Sequence, residues 1–235
     1  MTSGLALADD WAAPVATPTP ALAPTSASPA PTTTRALAPT SAGTATPASF
    51  LTAASTTAAT IAVPADIEHW TAYGYNITAP ASMWPMLELL HKLHFDWELA
   101  SASERPTPLV WASLPSGVYG QYVPRLNVVR VSWVLQNSSV EAATAFLAHE
   151  LTHLNDDLNG KLGDMTGSAC YEAETRAFVN EANFWQMVVG PLGKTTVDPI
   201  ETQENAKMFA FVGNRYFAEL VVRTTASYVK QCGAG

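Results

Sequence analysis

The chain has 235 residues, 12 Lys and Arg against 20 Asp and Glu, and a formal net charge of −8, so no basic run exists to neutralise phosphates and nucleic-acid binding is disfavoured. No apolar run reaches the roughly 18 residues that a membrane-spanning helix needs. Residues 1–65 are nearly all Ala, Thr, Pro and Ser, with Asp9, Asp10 and Arg35 as their only charges, and no apolar periodicity could offset the entropy of ordering them.

That first stretch is expected to be a linker, with Thr-Pro-Thr-Pro and Ala-Pro-Thr segments favouring extended, semi-rigid conformations. It leaves residues 66–235, about 170 in all, enough for one well-buried core. Trp70, Tyr73 and Tyr75 mark where that domain begins. From about Ser82 the spacing predicts a helix: Pro85 suits its first turn, and Met86, Leu89, Leu90, Leu93 and Trp97 fall on one face. His91 and His94 lie on it but are not spaced as a ligand pair. Pro106 and Pro108 end the pattern. Leu109–Ala112, Val118–Tyr122 and Leu126–Leu135 then read as three short strands with tight connections, which implies a small, largely antiparallel sheet.

Ser138 followed by Glu141 forms a capping box for a helix running to about Leu158, with Gly160 closing it. A further helix is predicted from Ser168 to about Val189, ended by Gly190-Pro191. One or two helices from Pro199 to Cys232, carrying Phe209, Phe211, Tyr216, Phe217, Leu220 and Val221, are expected to complete the core. The fold class is therefore α+β.

Within the first of these helices stands His149-Glu150-Leu151-Thr152-His153. Two histidines four residues apart sit one above the other, about 6 Å along the axis, so both imidazoles can reach one metal ion. Glu150 is turned about 100° from His149, beside the metal and able to hold a water there. Zinc takes neutral imidazole ligands and, in catalytic sites, keeps a position open for water, which a carboxylate can deprotonate. A surface helix carrying two histidines by accident is the plain alternative. The uncharged run Ala145-Phe146-Leu147-Ala148 argues against it, because burying an unliganded histidine pair would be costly. Asp156 and Asp157, just beyond His153, are either partners for an imidazole N–H or exposed acids at a helix end.

A third protein ligand has to come from elsewhere. The extended metzincin pattern is absent, since Asp156 and Asn159 occupy the positions it needs. Tyr171-Glu172-Ala173-Glu174-Thr175-Arg176-Ala177-Phe178 offers two glutamates on the next helix. With this pairing the sequence resembles the gluzincin zinc metallopeptidases, in particular small single-domain members, over roughly residues 80 to 190. The resemblance implies a zincin-like fold, a bound Zn2+ and a peptide or protein substrate. Glu174, with the small Ala177 three residues on, corresponds to the ligand glutamate. Longer family members carry an Asp four residues after it, where this chain has Phe178. Helical geometry favours the same residue: Glu172 and Glu174 lie about 200° apart, and Glu172 can pair with Arg176 in the favoured order. Glu181 shares the face of Glu174 but lies about 10 Å further along the axis.

The expected site is thus His149, His153 and Glu174 on zinc, with Glu150 as general base. Tyr171, Arg176 and Tyr216 are available to stabilise an oxyanion, though each has a more ordinary structural use. Gly120-Gln121-Tyr122 is a candidate edge strand for pairing with a substrate, or simply a strand with a bulge. The rivals are a zinc-bearing domain that binds a partner without cleaving it, and a metallopeptidase-like intracellular regulator. A Pro/Thr-rich stalk ahead of such a domain is typical of exported proteins, and Ala6-Leu7-Ala8 resembles a signal-peptidase site with few residues before it, so export is expected and a cytoplasmic location is the alternative. Cys170 and Cys232 would pair in an exported protein and stay free in a cytosolic one.

Overall fold

A computed structural model of the chain describes residues 67–163 and 165–233. The expected linker and the Ala6-Leu7-Ala8 site lie outside the described residues.

The domain opens with a hairpin that the sequence analysis did not assign. Strands β1 (Ile67–Ala72) and β2 (Tyr75–Pro80) pair antiparallel. They are joined by Tyr73 and Gly74, with φ of 54° and 86°. Two successive left-handed residues make the tight turn whose twist matches that of the strands. The single helix expected from Ser82 is instead α1 (Trp84–Lys92) and α2 (Asp96–Glu104), with Pro85 in the first turn of α1 as predicted. Between them His94 takes φ 63°, which ends the first helix. Trp97 therefore leaves the face shared by Met86 and Leu90, and is 40% exposed. His91 stacks on Tyr73 and shares a 2.6 Å hydrogen bond with Asp96, a structural use.

Strands β3 (Leu109–Ala112), β4 (Gly120–Val123) and β5 (Val128–Ser132) form a second sheet in the order β3-β5-β4. β5 runs parallel to β3 and antiparallel to β4, so this sheet is mixed and the expectation of a largely antiparallel one is corrected. The reason lies in β5: Val128, Val129 and Val131 are all buried, so it takes the central place where both edges are paired. The stretch after Ser132 turns into a short 3-10 helix and leaves Trp133 46% exposed.

Helix α3 (Val140–Leu158) is the axis of the domain, packed by α1, α2, α4, α5 and strands β4 and β5. Every residue from Ala142 to Leu154 is buried. Its cap is Ser139, whose hydroxyl accepts the Ala142 N–H, one residue later than predicted because Ser138 donates to Asp198 Oδ2. Helix α4 (Gly167–Val189) packs along α3. Three helices follow where one or two were expected: α5 (Pro199–Phe211), α6 (Arg215–Thr224) and α7 (Ala226–Cys232). Phe211 is buried, but Phe209 and Tyr216 point outward, at 64% and 78% exposure. Cys170 of α4 and Cys232 of α7 form a disulfide.

Among the described residues the fold is α+β, with two small sheets and seven α-helices, none of them long and apolar enough to cross a membrane.

One side chain ties three helices together. Asn180 of α4 donates to the fully buried Glu98 of α2 and, at 2.9 Å, to Thr152 Oγ1 of α3. Burial pushes the Glu98 carboxyl well above the usual carboxylate range, against the opposing effect of the Asn180 hydrogen bond. A group whose pKa is raised on folding lends its full stability below its unfolded pKa and loses it as pH rises through the folded value. Glu98→Gln should therefore melt with the parent in acid and above it in alkali. Melting temperatures of both proteins across pH test this, and a difference that stays constant with pH would refute it.

Candidate metal centre

A helix buried all round has no solvated face, so the polar residues of α3 must find partners inside the protein. His149 and His153 lie one turn apart, their rings edge to face with centroids 4.9 Å from each other. From α4, Glu174 Oε2 approaches both, 3.5 Å from His149 Nε2 and 3.7 Å from His153 Nε2. One ligand atom from each residue falls within 4.8 Å of the others. Atoms bound to one zinc at about 2 Å in a tetrahedral array are about 3.3 Å apart, close to the 3.5 and 3.7 Å between Glu174 and the imidazoles. Neither His153 nitrogen has a hydrogen-bond partner among the described residues, although both are buried. Buried polar atoms rarely go unpaired, and a cation between the imidazoles and the carboxylate would satisfy the Nε2 that faces Glu174. Two histidines and a carboxylate are also the donor set that zinc favours, so the residues fit the ion.

Glu150 stays out of that cluster. Its Oε2 accepts the Tyr122 N–H at 2.6 Å, while Oε1 is buried and has no hydrogen-bond partner among the described residues. Strand β4 passes so close that a Cβ on Gly120 would lie 2.5 Å from Glu150 Oε1. Glycine is required there because the glutamate occupies the space of its side chain.

A buried charge chain supports the histidines. His149 Nδ1 donates to Glu181 Oε2 at 3.0 Å, leaving Nε2 to face Glu174. Lys207 of α5 then bridges Glu181 at 2.7 Å and Glu204 at 2.8 Å, with its ammonium 4.3 Å from the centre of the Phe146 ring. A carboxylate behind a metal-facing histidine fixes its tautomer and ring orientation. Burial favours neutral forms throughout; it prevails at His153 and Glu150, and neighbours overcome it at His149 and Glu174. It lowers His153 and raises Glu150 to about 8. It also opposes charge on His149, which Glu174 and Glu181 nevertheless hold at about 10. Glu174 is likewise opposed by burial and brought to about 2 by the two imidazoles.

Of the residues expected at the site, His149, His153 and Glu174 converge and Glu150 lies beside them, each at most 1% exposed. Glu172 lies outside, 53% exposed at its side chain and 3.9 Å from Arg176. Neither acid after His153 bonds an imidazole, and neither is a simple exposed acid. Asp156 is buried and accepts from Arg176 at 2.8 Å, and Asp157 accepts from Tyr122 Oη at 2.8 Å and from Arg105. Of the oxyanion candidates, Arg176 is engaged by Asp156, Tyr171 packs under the Arg223 guanidinium at 4.8 Å, and Tyr216 is exposed. Glu181, Lys207, Glu204 and Gln231 were not expected at the site. Gln231 donates to Glu174 Oε1 at 2.8 Å. The signal for two of them was present, since Glu204 and Lys207 form an i, i+3 charge pair between the buried Ile200 and Met208.

Comparison of the chain with protein-family models, with curated proteins and with solved structures gives no match.

Proposed function

We propose that the chain is a zinc-dependent peptidase of the gluzincin kind, with a zincin-like domain over residues 66–235. His149, His153 and Glu174 hold the ion and Glu150 is the general base. The observation that carries this reading is the convergence of three ligand atoms within 4.8 Å, beside a buried carboxylate that is not one of them. When bound, zinc supplies a Lewis acid that polarises a carbonyl and brings the pKa of a water to about 7.

The chain's own residues move the proton. The Tyr122 N–H anchors Glu150 Oε2, which leaves Oε1 to take a proton from the attacking water. The same atom then gives that proton to the amine nitrogen as the C–N bond breaks. Glu181 keeps His149 turned so that Nε2 faces the ion. β4 is an edge strand running past Glu150, and an extended substrate added beside it would bring its peptide bond toward the base. The buried Cys170–Cys232 disulfide supports an exported protein, the setting in which such bonds persist.

One observation favours a second reading. With its four key residues at most 1% exposed, the site suits a domain that holds a metal and binds a partner without cleaving it. Against this, a structural zinc site normally has four protein ligands and no use for a base.

Metal content and cleavage of an unfolded protein substrate test the proposal on two variants. Glu174→Ala is expected to lose zinc and all activity, while Glu172→Ala keeps both near the parent level. The reverse ranking would mean that the ligand set is wrong. Stoichiometric zinc without chelator-sensitive cleavage would select the second reading.

A further inference from the structure

The two oxygens of Glu174 have different surroundings. Oε2 faces the imidazoles at 3.5 and 3.7 Å, while Oε1 accepts a hydrogen bond from Gln231 Nε2 at 2.8 Å. Helix α4 does not provide an orienting partner one turn on, because Phe178 stands there with its ring edge-on to His149 at 4.7 Å. The donor comes from 57 residues away, on a helix of only seven residues. A helix that short does not persist on its own propensity and depends on tertiary anchors.

α7 has such an anchor beside Gln231. The next residue, Cys232, is bonded to Cys170, which lies one turn before Glu174 on the same face of α4. The covalent clamp thus joins the two helices one residue from the donor and one turn from the acceptor. Tyr228, one turn earlier on α7, adds a ring contact on Phe178 at 5.5 Å.

We infer that Gln231 is the positioning residue for Glu174, and that the Cys170–Cys232 disulfide sets the metal affinity of the site by holding Gln231 there. The inference rests on the metal centre proposed above. An amide N–H fixed on Oε1 stops the carboxylate from rotating and keeps Oε2 aimed between the histidines. Pre-organisation of this kind strengthens binding without adding a ligand. A phosphine reductant would undo it. The phosphine gives two electrons to the S–S bond and leaves as its oxide with the oxygen of a water, whose two protons return Cys170 and Cys232 as thiols. Without the clamp, α7 is held by non-covalent contacts alone and Gln231 no longer stays on Glu174.

The test uses the full chain freed of metal, titrated with zinc against a chromophoric chelator and separately with Co2+, whose visible bands report ligand number and geometry. Gln231→Leu is expected to weaken zinc binding about 10- to 100-fold, the usual effect of removing a partner behind a ligand, and to change the cobalt spectrum. Cys170→Ala with Cys232→Ala, which avoids the free thiols that would themselves bind zinc, should weaken it to a similar degree. Combining all three substitutions should add nothing further, because the disulfide acts through Gln231. A disulfide that merely stabilised the fold would instead add its loss in full, and that result overturns the inference. So does a Gln231→Leu protein, which keeps the disulfide and folds as the parent does, that binds zinc as tightly as the parent. A parent that binds no zinc removes the metal centre itself, an outcome distinct from parity between parent and variant.

Discussion

Glu150→Gln is expected to keep one equivalent of zinc while peptide cleavage falls about 100- to 10,000-fold, the range lost with a general base. The substitution preserves shape. The amide oxygen can still accept the Tyr122 N–H, and the side chain still fits against Gly120, where there is no room for a different one. What disappears is the ability of the second oxygen to take up and return a proton. His149, His153 and Glu174 are untouched, so metal content and catalysis should separate cleanly. Elemental analysis and a cleavage assay on the same preparation read both. A variant that loses its zinc would make Glu150 a ligand, and one that cleaves as fast as the parent would remove it from the mechanism.

The second large effect is on stability. Lys207 is 2% exposed and stands between two fully buried carboxylates, and both of its contacts are shorter than 3 Å. Lys207→Met keeps most of the stem but leaves Glu181 and Glu204 facing each other without a cation. Breaking a buried ion pair by removing one partner costs about 3–5 kcal/mol, because the other charge stays buried. Glu204 softens the blow, since burial and the nearby Glu181 already push its carboxyl up to about 8 and it can stay protonated. Adding Glu204→Gln to Lys207→Met should therefore recover part of the loss at neutral pH, because an amide is neutral without the cost of keeping a proton that the unfolded carboxyl would release. Urea unfolding of the three proteins, with unchanged slope, measures this. A cost below about 1 kcal/mol for Lys207→Met would mean that water reaches the network.

The centre of the site was legible in the sequence because its signal is local. The pairing of His149 with His153 follows from helical geometry, and the choice of Glu174 over Glu172 from that geometry together with the gluzincin resemblance and the Arg176 partner of Glu172. The two long helices were legible for the same reason, to within a residue or two at most ends. What escaped depends on neighbours distant in the chain. Ser139 caps α3 instead of Ser138 because Asp198, 60 residues on, takes the Ser138 hydroxyl. The order of the second sheet follows from burial of β5, which no spacing within one strand encodes. α1 and α2 share a continuous apolar pattern, and only the left-handed His94 separates them. Glu181, expected to lie too far along the helix to be a ligand, does take part in the cluster. Its actual partner is the far nitrogen of His149, and Lys207 behind it comes from another helix altogether.

The burial of the four key residues also bears on time. An ion held by side chains at most 1% exposed would leave only when the packing around it opens, and a substrate would reach it through the same opening. Its residence would then be governed by how often that packing opens, and not by ligand exchange at the surface. Such openings of a core range up to the free energy of global unfolding, so escape can be as slow as unfolding itself, which in small domains takes from less than a second to days. A chelator added to the folded, loaded protein would therefore act at a rate independent of its own concentration. A metal-free chain would take up zinc through the same openings, so the zinc titrations need long equilibration to reach their end point.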